Sequence, residues 1–210
     1  MTSRFTRGAA LLAIVTAGCS KPAPQQTQPP QKVEAAEPGS VSGRVPAPQP
    51  GAFSIVVLEP AATREFPAQS ETPVMDQVGQ TFDPPVLLVR TGLPVEFRNS
   101  DDTLHNVHVT NVDTKEGAFN VANPTGSSYT FKFPIDGFYH VGCDIHPAMS
   151  AEILATQSPY AEVADTDGRF TFDNVAPGVY RLTVYANGKK TERDVEMKGA
   201  AVTVDASSGT

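Results

Sequence analysis

Apolar positions in this chain come in short runs that alternate with polar ones, and no long stretch carries the apolar spacing of a helix. Residues 129–133, 169–172 and 180–185 alternate aromatic or aliphatic side chains with polar ones, the period of a half-buried strand. Further β-prone runs lie at 41–45, 54–59, 86–90, 95–98, 104–110, 138–141 and 149–155. Thr91-Gly92 predicts a turn joining 86–90 and 95–98 as a strand pair. Beyond Ser158 the punctuation becomes regular: Asp167-Gly168, Pro177-Gly178 and Asn187-Gly188 each sit between alternating runs and predict antiparallel hairpins. With 19 prolines and 16 glycines in 210 residues, the pattern predicts an all-β chain of sandwich architecture, long enough for one or two domains.

The two ends of the pattern differ from the middle. Arg4 and Arg7 precede a short apolar run, 8–17, that is too short to span a bilayer and reads as an export signal, 1–18. Thr16-Ala17-Gly18-Cys19-Ser20 resembles a bacterial lipobox. That resemblance implies cleavage before Cys19 and a lipid on it, hence an extracytoplasmic protein anchored to a bacterial membrane, with the outer membrane expected. The competing reading is an ordinary secretory signal. Residues 19–39, rich in Pro, Gln, Ala and Glu and free of aromatics, predict a disordered tether. The formal charge is −7, and loss of 1–18 removes two arginines and no acids, leaving −9. Such a chain, with no basic run, is expected to bind no nucleic acid. Its field suits solubility or a basic partner.

The cysteine count sharpens the picture. There are two, and if Cys19 carries lipid then Cys143 has no partner for a disulfide. A lone thiol outside the cytoplasm calls for a role, and metal ligation is one. Cys143, His146 and Met149 lie within seven residues, after a β-prone run. A short loop can fold thiolate, imidazole and thioether around one ion, and that soft or borderline set suits copper. Zinc also takes Cys and His but gains nothing from a thioether, so Met149 argues for copper. A second imidazole is available upstream in Asn99-Ser-Asp-Asp-Thr-Leu-His105-Asn106. If His105 points inward then Val107 and Val109 do too, which turns His108 outward; the same alternation from Cys143 turns His140 outward.

These pieces resemble the cupredoxin family, the small blue copper proteins of the plastocyanin, pseudoazurin and amicyanin kind. The matching residues are 95–101, His105-Asn106-Val107 and the Cys143–Met149 loop, with two residues between successive ligands. The resemblance implies a Greek-key β-sandwich over 73–157 and one type 1 copper ion. It implies His105, Cys143 and His146 as equatorial ligands, Met149 as a weak axial one, and Asn99 and Asn106 as polar braces of the ligand loops. Pro147 offers no N–H toward the thiolate, which favours Cu(II) and a lower potential.

Four protein ligands leave no open position for a substrate, so the expectation is an electron carrier and not an enzyme. By the same resemblance, electrons leave through the edge of His146, and a redox protein such as a cytochrome or dehydrogenase docks there. Pro147, Ala148, Leu104 and Pro124 are candidates for the rim. Two other functions stay open: a copper-buffering lipoprotein without a redox partner, and a surface-binding β-module with a vestigial site. Residues 164–184, with Asp167-Gly168-Arg-Phe and Pro177-Gly178-Val-Tyr, resemble the carboxypeptidase regulatory-like domain, a small β-sandwich without a catalytic zinc motif. The segment after Pro159 is short of opening strands, and 41–45 and 55–58 are suitable ones. The expected layout is therefore a regulatory-like sandwich formed by 40–60 and 158–207, with the copper domain 73–157 inserted between them.

Overall fold

The computed structural model describes residues 37–67 and 69–208. The signal 1–18, Cys19 and nearly all of the 19–39 tether lie outside the described residues. Every regular element among the described residues is a strand. In chain order they are β1 (Gly39–Arg44), β2 (Ser54–Pro60), β3 (Val74–Val78), β4 (Thr81–Asp83), β5 (Val86–Arg90) and β6 (Pro94–Asn99). Next come β7 (His105–Asn111), β8 (Gly117–Asn123), β9 (Ser128–Lys132), β10 (Gly137–Gly142) and β11 (Ser150–Thr156). The last five are β12 (Ala161–Val163), β13 (Arg169–Val175), β14 (Gly178–Ala186), β15 (Lys189–Met197) and β16 (Val202–Asp205).

These strands form four sheets: β13-β1-β16, β12-β2-β14-β15, β5-β11-β10-β7-β8 and β4-β3-β6-β9. Side-chain alternation decides how they stack. Val41, Phe170, Phe172 and Val204 of the first sheet meet Val56, Leu58, Leu182 and Val184 of the second in one core. Met75, Val95 and Phe97 of the fourth sheet meet Val107, Val109, Val141, Ile153 and Ala155 of the third in another. Between the two sandwiches lies a smaller apolar layer of Ile55, Val57, Val86 and Leu154, packed with Phe138 and Tyr185. The two rings of that last pair stack at 4.9 Å.

This middle layer explains why β2 and β11 depart from strict alternation. In β2, Val56 and Leu58 face one core while Ile55 and Val57 face the other, so Ser-Ile-Val-Val-Leu is buried throughout. In β11, Ile153 and Leu154 divide in the same way. Burying each such side chain is worth about 1.5–3 kcal/mol relative to exposure, and here both faces of a strand contribute.

Several sequence expectations need correction. Segments 86–90 and 95–98 are strands but do not pair with each other. β5 runs parallel to β11, while β6 pairs with β3 and β9. The Thr91-Gly92 turn therefore carries the chain from one sheet to the facing one, because β5 and β6 each bury a face in the same core from opposite sides. Pro177-Gly178 likewise links β13 and β14 in different sheets, and β13 pairs with β1 instead of β12. Only Asn187-Gly188 joins paired neighbours, β14 and β15, with both turn residues at positive φ (52° and 73°), as a tight hairpin requires. β1 pairs with β13 and β16, and β2 with β12 and β14. Gly43 permits the close approach of β1 to β16, since a Cβ there would lie 1.9 Å from the Val204 carbonyl oxygen.

Candidate metal centre

The site sits at one end of the sandwich formed by the third and fourth sheets. His105 opens β7 and is fully buried. Cys143 directly follows β10, and Met149 directly precedes β11. β10 and β11 are paired up to Gly142↔Ser150, so residues 143–149 are the loop that closes this antiparallel pair. Two backbone bonds shape the loop: Cys143 N–H to Met149 O (3.3 Å) and Met149 N–H to His146 O (2.9 Å). Cys143 and Met149 point into the core, 4% and 2% exposed, while His146 is partly exposed. Among the described residues Cys143 is a free cysteine.

The donor atoms converge. His105 Nδ1 and His146 Nδ1 lie 2.9 Å apart, and Cys143 Sγ lies 3.9 Å from the first and 3.8 Å from the second. A triangle with these sides has a centre about 2.1 Å from all three atoms, within the range of ordinary metal–nitrogen and metal–sulfur bonds (about 2.0–2.3 Å). The protonation of His105 fits the same purpose. Its Nε2 lies 2.9 Å from Asp101 Oδ2. A carboxylate only accepts, so Nε2 carries the hydrogen and Nδ1 presents a lone pair toward the thiol and the second imidazole. Two nitrogens at such close range need a proton or a cation between them. Thiolate and two imidazoles, with the buried thioether of Met149 on the same loop, form a set that suits a soft or borderline ion. His105, Cys143 and His146 are also the one group of three or more such side chains among the described residues with metal-holding geometry.

The surroundings fix these side chains in place. Asn99 is fully buried, donates to the carbonyls of Thr103 (2.8 Å) and Asn123 (2.7 Å), and accepts from Asp101 N–H (3.0 Å). It thereby shapes the 99–105 segment that delivers His105. Asp101 accepts from the N–H groups of Gly79 (2.6 Å) and Gln80 (2.9 Å). The Gln80 N–H chiefly, together with the His105 ring and the Gly79 N–H, holds its carboxyl below the usual carboxylate range. Asn106 accepts from Asp144 N–H at 2.7 Å and donates to Asp144 Oδ2 at 2.9 Å. Asp144 also receives Asn120 Nδ2 (2.8 Å) and lies 3.0 Å from His108 Nδ1. Its carboxyl too is held low, first by His108 and then by Asn120.

Pro147 stands exposed directly after His146. Leu104 and Ile145 are the large exposed apolar side chains of the two ligand segments, 48% and 47% exposed, and Ala148 and Pro124 are exposed as well. His140 is exposed on the outer face of β10, opposite Glu152 of β11, and His108 is partly exposed on the outer face of β7. Sequence reasoning gave no role to Asp101, Asp144, Gln77, Asn120 or Asn123. Gln77 and Asn123 are buried and bonded to each other at 2.8 Å, and Gln77 also donates to the Asn106 carbonyl at 3.1 Å. The spacing of Asp101, four before His105, was the available signal for one of them. An inward Gln on a strand gives none.

Comparison with known proteins yields partial likenesses. Residues 147–210 match the family model fn3_3, described as polysaccharide lyase family 4, domain II. That span runs from the ligand loop through β11 to the end of the chain, and its name differs from that of the regulatory-like domain which 164–184 resemble. No curated protein matches the chain. Among solved structures, a copper-containing nitrite reductase from Thermus scotoductus SA-01 is 28% identical over 46% of this chain, with a TM-score of 0.38. The match spans only 25% of the length of that reductase. A reduced amicyanin variant is 22% identical, covering 47% of this chain and 97% of its own, with a TM-score of 0.37. A purple cupredoxin from Nitrosopumilus maritimus is 22% identical over 40% of this chain and 98% of its own, with a TM-score of 0.36. Each of these likenesses takes in less than half of the chain, whose architecture is all-β throughout the described residues.

Proposed function

We propose that this chain holds one type 1 copper ion and carries single electrons outside the cytoplasm. The observation that supports this most is the convergence of His105 Nδ1, His146 Nδ1 and Cys143 Sγ within 2.9–3.9 Å. In this reading His105, Cys143, His146 and Met149 would hold the ion. Bound copper would supply a Cu(II)/Cu(I) couple, interconverted by one electron without breaking a protein bond. Asp101 keeps the hydrogen of His105 on Nε2, and Asn99 and Asn106 fix the two ligand segments. A site held this firmly by buried polar groups changes little between oxidation states, which suits electron transfer better than catalysis. His146, the ligand not fully buried, offers the shortest way out, and Leu104, Ile145, Pro147 and Ala148 give its surroundings an apolar rim. Asp101, Asp102 and Asp144 near that rim favour a basic redox partner.

The same reading places the protein on a bacterial membrane through lipid on Cys19. It also treats 40–60 and 158–207 as one regulatory-like sandwich that carries the copper domain as an insertion. The pairing of β1 with β13 and β16, and of β2 with β12 and β14, supports that layout. The test is voltammetry of the copper-loaded protein. A reversible one-electron wave that disappears in Cys143→Ser is expected. Tight copper binding with no electron exchange would instead favour a metal-buffering role.

A further inference from the structure

Asp144 follows Cys143 in the chain, and its carboxylate is held by more donors than an exposed acid needs. Oδ2 accepts from Asn106 Nδ2 (2.9 Å) and Asn120 Nδ2 (2.8 Å), Oδ1 lies 3.0 Å from His108 Nδ1, and its N–H donates to Asn106 Oδ1 at 2.7 Å. Asn106 Nδ2 also donates to Asn120 Oδ1 at 2.8 Å, which closes the cluster. Asn106 is the residue after His105, and Asp144 the residue after Cys143. The cluster therefore ties the two segments that present the imidazole and the thiol, with β8 as a third support through Asn120.

Tying the segments together does not by itself require an acid. A neutral acceptor at 144 would serve Asn106 equally well. What an acid adds is a negative charge at a fixed position on the residue that follows the thiolate. That charge meets no Lys or Arg: the ion pair formed by Asp144 among the described residues is with His108. The Asn donors hold the carboxylate in place without neutralising it.

We propose that Asp144 is a positioning residue with an electrostatic role, locking the Cys143 segment to the His105 segment while its charge favours the more positive, oxidised state of the bound ion. The inference rests on the copper reading above. The side chain of Asp144 is 57% exposed, so water and salt reach it and its influence is open to screening. A purely structural role would show no such dependence.

The experiment is voltammetry of copper-loaded wild type and Asp144→Asn at two ionic strengths, with absorption and EPR spectra of each. Between 0.01 M and 1 M salt the screening length falls from about 30 Å to about 3 Å. Asp144→Asn is expected to keep the wild-type spectra and to shift the midpoint potential upward at low salt. Poised at the wild-type midpoint, its ratio of reduced to oxidised protein then rises several-fold, and the difference shrinks at high salt. Asp144→Ser, which keeps an acceptor for Asn106, should shift the same way. Equal potentials at low salt with intact spectra overturn the proposal. So does a salt-independent shift with altered spectra, or loss of copper by both variants, since the lock is then the whole role. A wild-type protein without a one-electron wave fails the copper reading first, before either variant is measured.

Discussion

Replacing Asn99 with Ala removes a carboxamide that is fully buried and makes three hydrogen bonds, two given and one accepted. The bond to the Asn123 carbonyl lies in the interior, so its loss strands a buried acceptor at a cost of about 1–3 kcal/mol. The Thr103 carbonyl and the Asp101 N–H lie nearer the surface, where water can replace the amide, and each loss costs about 0.5–1.5 kcal/mol. Together the apo protein should lose about 2–6 kcal/mol of stability. The protein has no tryptophan and five tyrosines, so urea unfolding is followed by tyrosine fluorescence or circular dichroism. With a slope of about 1–3 kcal/mol/M, the midpoint should fall by about 0.7 M or more at unchanged slope. Asn99 also orients Asp101, the partner of His105, so copper affinity should fall about 10–100-fold. A stability loss below about 1 kcal/mol would show that the segment ahead of His105 is not held by Asn99.

Other consequences are open to measurement. Met149→Leu should leave a coloured, copper-bound protein with a raised reduction potential, because a lost axial thioether destabilises Cu(II) more than Cu(I); voltammetry showing a lowered potential would contradict the axial assignment. Glu152 is half-buried beside the middle apolar layer, and desolvation raises its pKa above the ordinary glutamate value. Its contribution to stability is therefore fully present below the unfolded pKa, near 4.5, and is lost as pH rises through the raised folded value. Glu152→Gln should thus gain stability relative to wild type at pH 7–8 but not at pH 3–4, as read by thermal unfolding of the apo protein; a gain of equal size at both pH values would point to packing instead. Mass spectrometry of the mature N-terminus should find acyl mass on Cys19, and an unmodified residue there would end the lipid-anchor reading.

Much of the fold was legible because strand periodicity is local. The run at 180–185 lies within β14, and that at 129–133 falls in β9 except for its last residue, since alternation and turn residues act over a few positions. Pairing was harder. Thr91-Gly92 has the chemistry of a hairpin turn, yet its flanking strands enter facing sheets, because each is claimed by a partner remote in sequence. The strands β4, β8, β12 and β16 escaped notice for a related reason: β4, β12 and β16 have three or four residues, β8 is flanked by polar residues, and neighbours stabilise them more than their own propensity does. At the site, three of the four ligand candidates were within reach of sequence because one loop carries them, and the two outward histidines followed from strand alternation. The polar cluster of Gln77, Asn99, Asn123 and Asn106 was only partly legible. Its members come from four strands, and a buried amide has no sequence signature apart from the fold that satisfies it.

The account stands most directly on the optical spectrum of the purified protein after addition of Cu(II). With Cys143 Sγ 3.8–3.9 Å from two imidazole nitrogens, one equivalent of Cu(II) should give an intense blue colour from thiolate-to-copper charge transfer. Cys143→Ser should give none. A colourless Cu(II) complex of the unmutated protein, or colour that persists in Cys143→Ser, would contradict the assignment of this centre as a type 1 copper site.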